Sequence, residues 1–278
     1  MKPFEYLRPE SVNDAIGVLG EGADRARVLA GGTDLLTLMK GGLSSPERLV
    51  DIKRLPDLDD AIESHPEGGL RIGALATLAR IEDHPLLRDE YRALSQAAGL
   101  AATPQLRNMA TIGGNLLQRP RCWYFRSSHV DCWLKGGESC PAREGENQFH
   151  ALFDESPCVA VHPSDPATAL LALDAQVAVT GSEGERVVPL DAFFQLPTED
   201  RRIETTLGPG EVVTSVNLPP ASGNRSVYLK AMDRKVWAFA LVGIGVRLTV
   251  ENGLIADARL ALGGVAPIPW RAQRAEAM

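Results

Sequence analysis

The sequence predicts an α+β protein, and two patterns lead to this expectation. The first fifty residues alternate short strand and helix signals, which is typical of a strand–helix–strand unit. Beyond the linker candidate Pro219-Pro220-Ala221-Ser222-Gly223 the pattern becomes β-rich, and Asn252-Gly253 is a strong hairpin signal because both residues tolerate positive φ. A length of 278 residues fits one large domain or two to three small ones.

The N-terminal unit is expected to contain three strands and two helices. Ser11 is a good N-cap for the first helix, whose apolar residues Val12, Ala15, Ile16 and Leu19 recur on one face. Glycine pairs or near pairs follow both helices and end them. The predicted strands cover residues 4–7, 27–30 and 48–52, and the second helix covers residues 33–39.

Three domains are expected along the chain. Residues 1–54 form an N-terminal α/β subdomain, residues 55–221 a second subdomain, and residues 222–278 a short β-rich C-terminal domain. In the second subdomain we expect a strand over 70–73, a short helix capped by Thr77, one helix over 86–100, another over 165–173, and a hairpin of 176–180 with 186–189. The C-terminal strands cover 226–231, 238–250 and 254–263.

Composition and charge exclude several classes of function. The chain has 29 basic and 36 acidic residues, a net charge of −7, which argues against a nucleic-acid-binding protein, because such proteins carry a basic face. No apolar run is long enough to predict a membrane span. The first residues show no signal peptide, so we expect a cytoplasmic protein, or a periplasmic one if a partner carries it across the membrane.

Two glycine motifs are candidate phosphate-binding loops. Ala30-Gly31-Gly32-Thr33-Asp34-Leu35 lies between a predicted strand and helix, and Thr111-Ile112-Gly113-Gly114-Asn115 again places a glycine pair beside a hydroxyl and an amide. Paired glycines let backbone N–H groups approach an anion. The alternative is two unrelated tight turns, with Thr33 or Asp34 as an ordinary helix cap. Gly243-Ile244-Gly245 lacks the third glycine of a dinucleotide motif and is interpreted as packing.

The four cysteines fall in one stretch and indicate a single site. Cys122, Cys132, Cys140 and Cys158 are separated by nine, seven and seventeen residues. Structural zinc sites usually contain closely paired cysteines, which are absent here. Two disulfides would need an oxidising compartment, and an iron–sulfur cluster can take its four thiolates from widely spaced positions. Spacing alone favours metal binding and leaves the metal open.

Three further residues are weaker candidates. Asp165 lies in His162-Pro163-Ser164-Asp165-Pro166. Its carboxylate could contact a ribose or flavin hydroxyl; the alternative is that it caps the helix that follows. His129 and His150 lie among the cysteines, but four thiols already complete a site, so both histidines are interpreted as surface residues. No nucleophile elbow or Ser/His/Asp arrangement is present.

The order of the glycine motifs resembles one flavoprotein family. Ala30 to Leu35, followed by Thr103-Pro104-Gln105-Leu106-Arg107-Asn108 and then Thr111 to Asn115, resembles the FAD-binding medium subunit of molybdenum hydroxylases. This is the family of xanthine dehydrogenase, aldehyde oxidoreductase and carbon monoxide dehydrogenase. The resemblance implies a PCMH/VAO-type FAD-binding fold, with FAD between the first two domains, and not a Rossmann fold.

The resemblance also implies which residues bind FAD, and no catalytic residue is expected in this chain. The residues around the diphosphate would be Leu29, Ala30, Gly31, Gly32, Thr33, Asp34 and Leu35, with Thr111, Gly113, Gly114 and Asn115 opposite them. The remaining FAD contacts would be Ala101, Ala102, Asp165, Val213 and Lys230.

The cysteine stretch narrows the resemblance further. Most members of the family run almost directly from the second glycine motif to the Ser-Asp motif, whereas residues 117–162 here form an insertion. This looks like the subfamily with an extra [4Fe-4S] cluster, for which Cys122, Cys132, Cys140 and Cys158 would be the ligands. Arg121 to Phe125 and His162 to Asp165 look closer to the aldehyde oxidoreductase type.

The resemblance implies an electron-transfer subunit of a heterotrimer. A large subunit would carry the molybdenum cofactor, a small subunit would carry [2Fe-2S] centres, and FAD in this chain would pass electrons to an external acceptor. Three alternatives remain: a scaffold stapled by zinc or disulfides, a flavin subunit of the 4-hydroxybenzoyl-CoA reductase type, and a stand-alone flavin oxidase. Family members usually continue beyond Gly263-Gly264-Val265-Ala266-Pro267 with a further helical segment, so the C-terminal domain is expected to be short.

Overall fold

The computed structural model describes residues 1–22, 25–153 and 155–278. The strands of this described part form three separate sheets of three, five and four strands. The strands are β1 (Glu5–Leu7), β2 (Ala26–Leu29), β3 (Arg48–Asp51), β4 (Ile62–Ser64), β5 (Leu70–Gly73), β6 (Gln176–Gly181), β7 (Gly184–Pro189), β8 (Val212–Leu218), β9 (Arg225–Ala231), β10 (Val242–Glu251), β11 (Leu254–Gly263) and β12 (Trp270–Arg271).

The helices are mostly short, of four to nine residues. They are α1 (Val12–Gly20), α2 (Leu35–Lys40), α3 (Leu78–Asp83), α4 (Pro85–Asp89), α5 (Arg92–Leu100), α6 (Pro104–Arg107), α7 (Ile112–Leu116), α8 (Trp123–Arg126), α9 (Asp165–Ala172), α10 (Leu190–Phe193) and α11 (Gln273–Glu276). A 3-10 turn covers Trp133–Lys135. The mixture of helices and strands confirms the expected α+β class.

The first sheet is parallel, in the order β1-β3-β2, and confirms the predicted N-terminal unit. The Ser11 hydroxyl accepts a hydrogen bond from the Asp14 backbone N–H, which satisfies one of the free donors at the start of α1. Such a cap is worth about 1 kcal/mol. The predicted apolar face of α1 is buried as expected.

The second sheet is antiparallel, in the order β4-β5-β8-β6-β7. The hairpin of β6 with β7 confirms the prediction, but β8 was not predicted although it is the central strand. Six of its seven residues are buried, so its side chains show no alternation between apolar and polar positions. A strand buried on both faces lacks the pattern by which an exposed strand is recognised.

The single helix expected over residues 86–100 was wrong, because the chain forms α4 and α5 with a break at Glu90 and Tyr91. Tyr91 leaves the helical region, with φ −123° and ψ 47°. Its ring is buried, and its hydroxyl donates to the Pro219 carbonyl at 2.7 Å. A contact with a residue 128 positions away therefore sets this break.

The third sheet is antiparallel, in the order β12-β11-β10-β9, and α9 packs against it. Asn252 and Gly253 form its central hairpin turn with φ values of 52° and 81°, as predicted. A side chain at Gly243 would overlap the Tyr228 hydroxyl, and a Cβ at Gly245 would lie 2.9 Å from a backbone oxygen of α9. These two glycines therefore permit close packing, which confirms their interpretation.

Candidate functional site

The two glycine motifs line the same cavity, whose volume is about 440 Å³. The cavity lies where the ends of β2 and α7 meet the start of β8. Of the residues predicted to bind FAD, eleven line it: Ala30, Gly31, Gly32, Thr33, Asp34, Leu35, Thr111, Gly113, Gly114, Asn115 and Val213. Two motifs separated along the chain are thus brought together around one space, as expected for a shared ligand.

Close backbone packing holds the first motif in place. A Cβ on Gly31 would overlap the carbonyl oxygen of Met109 and lie 2.8 Å from its carbonyl carbon, so only glycine fits between the two segments. Gly32 has a φ of +72°, in the region that glycine adopts without strain. The motif therefore lies directly against the segment that leads into the second motif.

Side chains fix the second motif. The Thr111 hydroxyl accepts a hydrogen bond from the Gly114 N–H at 3.2 Å and caps α7. Gly113 packs against Ala74, whereas a Cβ on Gly114 would approach only the Thr111 hydroxyl, at 3.0 Å. Asn115 Oδ1 accepts a hydrogen bond from the Ser164 hydroxyl, which ties this motif to the start of α9.

Asp34 connects the first glycine motif to the cysteine insertion. It occupies the N-cap position of α2 but its side chain makes no capping bond there, so Asp34 is not an ordinary side-chain cap. Its carboxylate accepts from the Arg119 N–H at 2.9 Å and from the guanidinium groups of Arg121 and Arg126. Burial acts to raise the pKa of Asp34, but Arg121 and Arg126 outweigh it and the pKa is lowered.

A second cavity of about 220 Å³ lies beside the first, and Arg121 lines both. Asp165 also lines this second cavity. Its carboxylate is buried and accepts hydrogen bonds from Lys230 Nζ at 2.8 Å and from the Tyr228 hydroxyl at 2.6 Å. Burial raises the pKa of Asp165 against the lowering effect of Lys230. The cap of α9 is Ser164, not Asp165, because the Ala167 N–H donates to the Ser164 hydroxyl.

His162 borders the same cavity as a buried, neutral imidazole. Burial lowers its pKa to about 3. Its ring lies edge-on to Phe194, with 4.7 Å between the ring centroids. His162 therefore remains uncharged at neutral pH and contributes a neutral polar surface to the cavity.

Four residues predicted to contact FAD do not line either cavity. They are Leu29, Ala101, Ala102 and Lys230. Lys230 Nζ, besides its bond to Asp165, donates to the Leu100 carbonyl at 3.1 Å, so it lies next to the Ala101–Ala102 segment. Ala102 has a φ of 50°, an unusual value for a residue with a Cβ.

The four cysteines pack into one group. Cys132 and Cys158 are buried together with Phe125, Trp133 and Ala160, and Cys122 and Cys140 pack against them half-buried. All four are free thiols. Burial raises the pKa of Cys122, Cys132 and Cys158, that of Cys158 to about 12. Among the described residues, no group of three or more ligand side chains is placed to hold a single metal ion.

His150 was wrongly interpreted as a surface residue. It is 7% exposed, its Nε2 lies 3.2 Å from the sulfur of Cys122, and its Nδ1 has no hydrogen-bond partner among the described residues. Trp123 packs edge-on against it at 4.9 Å between ring centroids. His129 is exposed, as expected.

Sequence reasoning missed the arginines that follow the second glycine motif. Arg119 and Arg121 both line the larger cavity, and Arg119 forms an ion pair with the buried Glu204 at 3.2 Å between Nε and Oε2. The available signal was the clustering of basic residues immediately after a phosphate-loop candidate in an otherwise acidic chain. Residues 207–211, between β7 and β8, also line the cavity and carried no sequence signal.

In the part of the chain that the structure describes, no helix is both long and apolar enough to cross a membrane.

Comparisons with known proteins agree with a cavity that binds FAD. The family described as FAD binding domain in molybdopterin dehydrogenase matches residues 2–221, and that described as CO dehydrogenase flavoprotein C-terminal domain matches residues 227–278. The aldehyde oxidoreductase FAD-binding subunit PaoB of Escherichia coli (strain K12) is 41% identical over 100% of this chain and 86% of its own length. The carbon monoxide dehydrogenase medium chain of Hydrogenophaga pseudoflava is 31% identical over 96% of this chain and 77% of its own length.

Solved structures show the same architecture. A chain of carbon monoxide dehydrogenase from Hydrogenophaga pseudoflava superposes with a TM-score of 0.76 at 29% identity, covering 99% of this chain and 79% of that one. A chain of quinoline 2-oxidoreductase from Pseudomonas putida 86 gives a TM-score of 0.73 at 26% identity, covering 100% of this chain and 80% of the other. These likenesses confirm the predicted FAD-binding fold with a C-terminal β domain.

Proposed function

The chain belongs to the FAD-binding subunits of molybdenum hydroxylases, and from this premise we propose that it passes electrons from partner subunits to an external acceptor. The observation that carries the proposal is the convergence of both glycine motifs on one cavity. FAD, when bound there, supplies the redox chemistry, and the protein supplies its binding and orientation. Substrate oxidation takes place on a large molybdenum-cofactor subunit, with a small [2Fe-2S] subunit between that subunit and this chain.

An aldehyde oxidoreductase complex is the assembly we propose. The 41% identity to an aldehyde oxidoreductase FAD-binding subunit, against 31% for a carbon monoxide dehydrogenase medium chain, supports this choice. The residues we propose around FAD are the eleven that line the larger cavity, together with Asp165 at the second cavity. We propose that Lys230 affects FAD indirectly, by holding the Asp165 carboxylate in position. Leu29, Ala101 and Ala102 contribute the backbone next to these residues.

The arrangement fits a dinucleotide better than a smaller flavin. The two adjoining cavities measure about 440 and 220 Å³ and share the Arg121 side chain. Apolar residues such as Leu35 and Val213 line the larger cavity beside the glycine backbone, which suits a ligand with both ring and phosphate parts.

The absorption spectrum of the purified full chain, after reconstitution with FAD and removal of excess ligand, tests this function. We expect a flavin band with about one FAD per chain, released as FAD and not as FMN on denaturation. A chain that is folded by circular dichroism but retains no flavin would contradict the proposal.

We also propose that the cysteine group holds a [4Fe-4S] cluster. The support is the packing of all four thiols into one group shielded by Phe125 and Trp133. Four cysteine thiolates are the usual ligand set of such a cluster. A four-iron cluster keeps its ligand sulfurs further apart than a single ion does, so thiols that surround no single-ion position are compatible with it.

Cluster assembly would change the protonation of the buried thiols. Burial keeps Cys158 protonated at neutral pH, with a pKa of about 12, and raises the pKa of Cys122 and Cys132. Bound iron would displace these protons, because metal ligation and thiol deprotonation are coupled. Iron loading should therefore weaken steeply as the pH falls.

Substituting Cys158 with serine is expected to abolish the cluster. Iron and sulfide measured in protein prepared anaerobically should fall from about four of each per chain to below one, with loss of the broad visible absorption of the cluster. The control is Ser139→Ala, an exposed position next to Cys140 in the same insertion. Zinc without iron in the unsubstituted protein would contradict the cluster and favour a zinc-stapled scaffold.

A further inference from the structure

Two arginines of the cysteine insertion have hydrogen-bond donors that the protein leaves unused. Arg119 Nη2 and Arg121 Nε are buried and have no hydrogen-bond partner among the described residues. Both side chains line the larger cavity, and Arg121 also lines the second one. Because buried donors without a partner are costly, unpaired donors beside a cavity indicate that a ligand supplies the missing acceptor.

The balance of charge points to an anionic ligand. Arg119, Arg121 and Arg126 carry three positive charges, whereas the carboxylates they contact, Asp34 and Glu204, carry at most two. One positive charge is therefore left over at the wall of the cavity. A guanidinium group binds phosphate oxygens through parallel N–H bonds, which are among the stronger hydrogen bonds in proteins.

We propose that Arg121, with Arg119 beside it, binds the diphosphate of FAD. The cysteine insertion then supplies a phosphate-binding element in addition to the two glycine motifs, and Asp34 orients it. This inference rests on the proposed FAD-binding function. It gives the insertion a second role, because the segment that places Cys122 also places the arginine next to it.

Arg121 is the better position to test. Removing Arg119 would leave the buried carboxylate of Glu204 without its partner, which would destabilise the fold. Removing Arg121 leaves Asp34 with Arg126 and the Arg119 N–H, so the carboxylate remains paired. Arg121→Gln removes the charge, Arg121→Lys keeps it, and Arg54→Gln makes the same charge change at an exposed position outside both cavities.

The experiment titrates FAD into the flavin-free full chain and follows flavin fluorescence at several salt concentrations. We expect Arg121→Gln to weaken FAD binding by about 10- to 100-fold and to flatten its salt dependence, with thermal melting of the flavin-free protein close to that of Arg54→Gln. Arg121→Lys should recover part of the affinity and most of the salt dependence, since lysine keeps the positive charge but lacks the parallel N–H groups of the guanidinium.

Two results would overturn the proposal. In the first, Arg121→Gln binds FAD within about twofold of Arg54→Gln, which would show that the arginine makes no useful contact with the ligand. In the second, affinity falls but the salt dependence is unchanged, which would show that the side chain only packs. Failure of the unsubstituted chain to bind FAD would be a different result, because it would overturn the proposed function itself.

Discussion

Replacing Lys230 with methionine is expected to destabilise the folded chain by about 3–5 kcal/mol, because it leaves a buried carboxylate without its partner. The Lys230 side chain is 1% exposed and that of Asp165 is 6% exposed, so solvent cannot compensate for the lost ion pair. Burial already raises the pKa of Asp165, and without Lys230 that carboxyl would take up a proton at higher pH. Chemical denaturation of the flavin-free chain at neutral pH measures the loss.

A double-mutant cycle separates the ion pair from the packing of the lysine stem. Asp165→Asn alone should also be costly, since it leaves the ammonium group buried and unpaired. The double variant Asp165→Asn, Lys230→Met should cost at least about 2 kcal/mol less than the sum of the two single variants. Additive costs would show that the two groups do not interact in solution, and the proposed positioning of Asp165 by Lys230 would then be wrong.

This pair also shows where sequence reasoning reaches its limit. The resemblance placed Asp165 and Lys230 separately at the cofactor, but the two residues are 65 positions apart and nothing local indicates that they bond to each other. By contrast, α1 was predicted correctly because Ser11 and the apolar spacing after it are local signals. The break between α4 and α5 depends on Tyr91 reaching Pro219, which no local pattern could predict.

In the candidate site, too, only the features with a local sequence signal could be predicted. Both glycine motifs were recognisable because close backbone approach demands a particular residue type, and the grouping of the cysteines followed from their clustering in the chain. The arginines were missed because an arginine after a motif is most often an exposed residue. The carboxylate of Asp34, 87 positions earlier in the chain, and the side-chain oxygen of Gln118 hold the Arg121 guanidinium at the cavity.

Asp34 therefore links the two proposed cofactor sites. It belongs to the glycine motif that lines the FAD cavity, and it accepts three hydrogen bonds from residues on either side of Cys122. The next helix contributes Leu38 to the apolar group that contains the cysteines. A change in one site thus has a short physical route to the other, through one carboxylate and one helix.

Replacing Gly31 with alanine is expected to cost about 3 kcal/mol and to weaken FAD binding by at least about tenfold. The added methyl group would overlap the Met109 carbonyl oxygen, and because the neighbour is backbone, no rotamer change can relieve the overlap. The loop must then move away from the segment that leads to Thr111, which separates the two motifs around the cavity. Denaturation of the flavin-free chain and a fluorescence titration with FAD measure the two effects.

The matched control is Gly17→Ala, which makes the same chemical change with the opposite expected sign. Gly17 lies on the exposed side of α1, and no heavy atom would lie within 4 Å of the new methyl group. Alanine there should stabilise the helix by about 0.5–1 kcal/mol and leave FAD binding unchanged. If Gly31→Ala matched this control in both measurements, residues 31 and 109 could not lie in contact, and the cavity formed by the two glycine motifs would lose its physical basis.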